Sequence, residues 1–128
     1  MKILLLFIIA SSVANATPAG MKGKDGHFSM TNKSLEHMGI KFEKLNGDGP
    51  WKVPLTSLVK IKLTQGVYRR FENEITFVIV KVLSTDQHSA YLRSDDLEDG
   101  DEVATSGVHF LRMTETDLNS ETVDNCAH

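Results

Sequence analysis

A mainly β domain, a small barrel or roll of six to seven short strands with one short helix, is the fold class predicted by this 128-residue sequence. Short runs rich in Val, Ile, Phe and Tyr recur along the chain, and turn residues interrupt them at intervals of about ten residues. Only one stretch, around residues 31–39, carries helix punctuation at both ends.

The elements follow in order. In MTNKSLEHMGI, Thr31 or Asn32 can cap a helix of barely two turns. Leu35 and Met38 share its face, and Gly39 stands where a helix stops. IKFEKL, 40–45, alternates as a half-buried strand, and NGDGP, 46–50, tolerates a tight turn. Trp51, Val53 and Leu55 suggest the next strand, with Pro54 marking an edge or bulge. VKIKL, 59–63, alternates cleanly, TQG, 64–66, turns, and VYRRF, 67–71, is a short strand. ITFVIVKVL, 75–83, is the most apolar run outside the N-terminus, and its β-branched content predicts one central strand. After the turn STDQH, SAYLRS places Ala90 and Leu92 on one face and Tyr91 and Arg93 on the other. An acidic turn, Asp95 to Asp101, leads into EVATSGVHFLRM, 102–113, read as a strand broken at Gly107. Gly100 and Asp101 suit a tight turn, and Gly107 suits a bulge or a close backbone approach.

The ends differ from this middle. MKILLLFIIASSVANATPAG has one Lys, an apolar run too short to span a bilayer, and the small-x-small triplet Ala14-Asn15-Ala16. Residues 1–16 are therefore expected to be a secretory signal cleaved before Thr17, giving a periplasmic or secreted protein. Residues 17–30 are read as a flexible arm, 31–113 as the single β domain, and 114–128 as an acidic flexible tail.

Charge and cysteine content exclude several classes. The chain has a formal charge of −3, and loss of Lys2 with the signal makes it more acidic. No nucleic-acid footprint follows, and contact with the inner membrane is peripheral at most. The lone cysteine, Cys126, rules out an intramolecular disulfide. Ser106 and His109 are three apart on a predicted strand and point to opposite faces, so no nucleophile–base pair forms and the protein is not expected to be an enzyme. The carboxylates of 95–101 lack EF-hand spacing. Soft-metal binding is an alternative. Met21, His27 and Met30 in the arm, with Cys126 and His128 in the tail, offer thioether, imidazole and thiolate to Cu(I) or Ag(I).

HSAYLRSDDLEDGDEVATSGVHFLRM, 88–113, resembles the membrane-proximal part of periplasmic adaptor subunits of RND-type efflux pumps, the HlyD-like membrane fusion proteins. That family's turn reads GL-x-x-GD-x-V-x-x-G. Here Gly100-Asp101, Val103 and Gly107 match it, Asp96-Leu97 stands for Gly-Leu, and Phe110-Leu111 follow as the closing apolar pair. VPLTSLV, 53–59, resembles the family's entry to the same domain, with Ser57 in place of Ala. VYRRFE, 67–72, resembles its hairpin in shortened form, and LEHMGIKFEKL, 35–45, is a weaker match. The long helical hairpin and the lipoyl domain of full adaptors have no counterpart. The resemblance implies a non-enzymatic accessory module that docks on an RND transporter or a full-length adaptor. Pro54 and Leu55 at an edge, and Asp95, Asp96, Leu97, Gly100 and Asp101 in the turn, are the expected contacts. No resident cofactor is implied.

Overall fold

The structure, a computed structural model, describes residues 21–22 and 26–126. Residues 1–20, which include the expected signal segment, and residues 23–25, 127 and 128 lie outside the described residues. Ten strands and two α-helices follow one another. They are β1 (Met21–Lys22), β2 (Phe28–Ser29), α1 (Asn32–His37), β3 (Lys41–Lys44), β4 (Trp51–Pro54), β5 (Val59–Ile61), β6 (Thr64–Phe71), β7 (Glu74–Ile79), β8 (Lys81–Thr85), β9 (Ser89–Arg93), β10 (Glu102–Ser106) and α2 (Val108–Cys126). A single 3-10 turn, Leu55–Ser57, joins β4 to β5.

The mainly β class holds, but the strands form two open antiparallel sheets and not a closed barrel. The larger sheet runs β1-β2-β7-β6-β10-β3, with β5 also on β6; the smaller runs β4-β9-β8. The molecule has three layers because the larger sheet is apolar on both faces. Val67, Val78 and Val103 point to one side and meet Trp51, Val53, Ala90 and Leu92 of the smaller sheet. Tyr68, Ile75 and Ala104 point to the other and meet Leu35 of α1 with Val108 and Leu111 of α2. Period-two alternation thus serves two cores at once.

α1 forms as its sequence predicts. Thr31 Oγ1 accepts the Ser34 N–H at 3.1 Å, and Gly39 takes φ +67. The Gly39 N–H bonds Glu36 O and the Ile40 N–H bonds Leu35 O, a Schellman stop in which Ile40 and Leu35 join the same core.

Three expected elements are corrected. The run 75–83 is two strands: it bends at Val80, whose N–H bonds Gln65 O, so β7 stays in the larger sheet and β8 enters the smaller. The strand beginning at β6 starts at Thr64, taking in the expected TQG turn; the tight turn falls at Lys62, φ +56. The strand expected over 102–113 ends at Ser106. Gly107, φ +67, turns the chain, and 108–126 are helical where a strand to 113 and a tail from 114 were expected. Inward positions 108, 111, 115 and 118 repeat at helical spacing. A Cβ at Gly107 would sit 2.8 Å from Ile40 Cγ1, so this glycine is required by both its φ and a close approach. No helix of the described residues is long and apolar enough to cross a membrane.

Candidate protein-docking face

The smaller sheet has one face in the core and one in solvent, and alternation decides which side chains lie outward. On β4, Trp51 and Val53 are buried while Lys52 is exposed. On β9, Ala90 and Leu92 are fully buried while Tyr91 and Arg93 are exposed. β8 begins with exposed Lys81, and a bulge between Val82 and Ser84 leaves Leu83 half in solvent. The register aligns Lys52 with Tyr91 and Lys81 with Arg93. The Lys52 ammonium lies 5.9 Å from the Tyr91 ring centroid, a cation–π contact.

Lys81 opposite Arg93 places two like charges across one ladder position, an arrangement that costs stability. Among the described residues neither is in an ion pair. Asp86, at the β8–β9 turn, interacts electrostatically with Lys52. The N–H groups of His88 and Ser89 hold its carboxyl below the usual value, and Lys52 adds to this. This carboxylate is therefore engaged with its own turn. This exposed sheet face carries three cations, a tyrosine and a leucine, and two of the cations, Lys81 and Arg93, are in no ion pair among the described residues.

The two segments expected to make contacts flank this face. Pro54 pairs with Ser89, and the Leu55 N–H bonds His88 O at 2.9 Å, so Pro54 and Leu55 lie at the β8–β9 turn end. Leu55 is exposed and Pro54 half-buried. At the other end Arg93 runs into Ser94, whose Oγ bonds Ile79 O and accepts the Asp96 N–H. Asp95 and Asp96 are exposed there.

The rest of the acidic turn is committed to the fold. Leu97 is buried in the core under the smaller sheet and offers no side chain to a partner. Asp101 is buried: its Oδ2 accepts the Glu98 N–H at 2.9 Å and stands 3.9 Å from the Arg69 guanidinium. Gly100, φ +88, donates to Leu45 O, and Leu45 donates back to Asp101 O, each at 2.8 Å. Asp99 Oδ1 accepts the Gly47 N–H at 2.7 Å, and Gly47 O accepts the Trp51 indole N–H. The turn and the 46–50 loop form one clasp over the end of the core. Gly100, Asp101 and Gly107 hold turns, and of the expected contact residues Leu97 is buried in the core and Asp101 is buried at the turn.

Of the expected metal ligands, His128 lies outside the described residues, and the side chains described are those of His27 and Met30. Met30 is buried in the helix-side core, and His27 Nδ1 stands 3.5 Å from Glu74. Met21 lies in β1 and Cys126 ends α2. Among the described residues no group of three His, Cys, Asp or Glu could hold a metal ion. Ser106 and His109 fall on different elements, and the Ser106 hydroxyl donates to Gly39 O at 2.8 Å.

The basic pairs also sort themselves. Arg70 bonds Glu102 and stacks 4.1 Å over the Phe42 ring, and Arg69 donates to Asp96 O, so both are internal. On the smaller sheet Lys52, Lys81 and Arg93 face outward, drawn from 42 positions of sequence. The signal that could have found them is the outward parity of Tyr91 and Arg93, extended to the neighbouring strands. Comparison of the chain with family models, with curated proteins and with solved structures gives no match.

Proposed function

We propose that this chain is a non-enzymatic exported accessory module that docks on a protein partner, an RND-type transporter or a full-length adaptor, through the outward face of its smaller sheet. The observation that carries this reading is the set of three outward cations, Lys52, Lys81 and Arg93, around Tyr91, with two of them opposed and unpaired. A partner surface bearing carboxylates would relieve that repulsion, and Tyr91 supplies the aromatic anchor common at protein interfaces. Pro54 and Leu55 at one end and Asp95 and Asp96 at the other would form the rim.

The resemblance to adaptor membrane-proximal domains supports the choice of partner: of the matched motif, Gly100-Asp101 lie in the clasp and Val103 in β10, while Phe110-Leu111 lie in α2. Export by the N-terminal segment would bring the chain to the compartment where such partners lie. Pull-down from envelope extract tests the proposal. Recovery of a transporter or an adaptor by the wild type is expected, with loss of that recovery in a Lys52→Glu/Lys81→Glu/Arg93→Glu variant. Recovery of neither by the wild type would contradict it.

A further inference from the structure

The clasp between the acidic turn and the 46–50 loop includes a reactive dipeptide. Asn46-Gly47 is the one Asn-Gly pair in the sequence, and Asn46 is exposed. Its neighbours are held on both sides: Leu45 by two backbone bonds to the 100–101 turn, and Gly47 by its N–H to Asp99 and its C=O to Trp51. We infer that Asn46 is a latent site of covalent modification, deamidation to aspartate or isoaspartate, and that the Asp99 carboxylate guards it while the clasp is closed.

The chemistry is internal and needs only water. The Gly47 backbone nitrogen attacks the Asn46 side-chain carbonyl carbon. A new C–N bond closes a succinimide ring, the bond to the amide nitrogen breaks, and ammonia leaves with the proton that Gly47 loses. Water then adds to one of the two ring carbonyls. Opening one way gives aspartate at 46, and opening the other way gives an isoaspartyl linkage with an extra backbone carbon. The glycine at 47 favours the attack because no Cβ obstructs the approach.

Two features of the folded chain oppose the first step. The attacking nitrogen must shed its proton, and that proton is engaged with Asp99 Oδ1 at 2.7 Å. A carboxylate at this distance disfavours negative charge growing on the nitrogen. The bonds at Leu45 and Gly47 also resist any reorientation of this nitrogen toward Asn46. Deamidation therefore proceeds from an open clasp, and its rate follows the population of that state. The product adds a carboxylate between Leu45 and Gly47, close to Asp48 and Asp99, so a modified chain holds the clasp less firmly and keeps it open. The inference rests on the clasp alone and is independent of the docking proposal.

The test follows Asn46 conversion by peptide-mapping mass spectrometry in purified wild type, Asp99→Ala and Asp99→Ser at mildly alkaline pH, folded and in denaturant. The change of mass from amide to acid distinguishes Asn46 from isomerisation at Asp48-Gly49 or Asp99-Gly100, which leaves mass unchanged. In the folded state both variants should convert roughly tenfold faster than wild type, the effect of losing one charge-assisted hydrogen bond on the open population. In denaturant all three should convert equally. Folded wild type converting as fast as its unfolded chain, or as fast as the folded variants, would overturn the inference. Should the variants fail to fold, wild type alone decides it. Across urea concentrations below unfolding, conversion should rise with hydrogen exchange at the Gly47 amide, and a conversion rate that stays flat while exchange rises would refute the guard.

Discussion

Tyr68 ties the larger sheet to α2 through a polar contact in an apolar layer. Its side chain is fully buried between Phe28 and Phe77, and its hydroxyl donates to Glu115 Oε1 at 3.0 Å. Burial, then the Glu115 charge, push the phenol far above its ordinary value of 10.0. The folded state therefore holds this proton more tightly than the unfolded chain. Its contribution is fully present below pH 10.0 and is lost as pH rises beyond it toward the folded value. Tyr68→Phe should lose about 1 kcal/mol in urea at neutral pH, the worth of one buried hydrogen bond, and should flatten the alkaline fall in stability. An unchanged alkaline slope would assign that fall to another group. Gly66 is a second demanding position. A Cβ there would strike Val78 O and come within 2.5 Å of the Phe77 ring, so Gly66→Ala should cost at least about 2 kcal/mol in the same assay. A smaller loss would mean that β6 and β7 shift apart easily.

Among the elements, the smaller sheet is where the docking proposal sets stability against recognition. Lys81 faces Arg93 across the ladder, so Lys81→Glu turns a repulsive pair into an attractive one. Stability should rise by roughly 0.2–1 kcal/mol while partner capture falls. A variant that gains stability and keeps full capture would remove Lys81 from the docking face. Elements also mark where sequence and structure part. α1 is legible to the residue, because Thr31 and Gly39 act locally and need no tertiary help. The bend at Val80 is invisible in ITFVIVKVL, since both halves are equally apolar and only the pairing with β6 and β9 divides them. α2 is hidden behind Gly107, which reads equally well as a strand bulge or a helix start. The pattern Val108, Leu111, Leu118 is too sparse to announce a helix before the sheet face that receives it is known.

The whole molecule is a three-layer arrangement in which local devices position one exposed face. The clasp of 45–47 with 98–101 fixes the end of the core, and that core sets the orientation of β4, β8 and β9. The clasp residues are readable in sequence because Gly100-Asp101 and Gly47 announce turns, but their mutual pairing spans some fifty residues and is not readable. The same holds for the proposed docking face. Lys52, Lys81 and Arg93 come from three strands, and net charge conceals them because the chain as a whole is acidic. Composition argues against an anionic partner, whereas the fold concentrates cations where one would fit. Contact residues expected at Leu97 and Asp101 give way for the same reason: an acidic, turn-rich segment looks exposed in sequence, while the fold buries its leucine and uses its last aspartate to hold the turn.

The measurement that tests the docking claim most directly is capture from envelope extract by wild type and by Lys52→Glu/Lys81→Glu/Arg93→Glu, with thermal unfolding of both recorded alongside. All three positions are exposed, so the two proteins should unfold within a few degrees of each other, as expected for surface changes of roughly 0.5 kcal/mol each. The account predicts that the wild type recovers an RND transporter or a full-length adaptor and that the folded variant recovers neither. Equal recovery by both, or recovery of neither by the wild type, would contradict it.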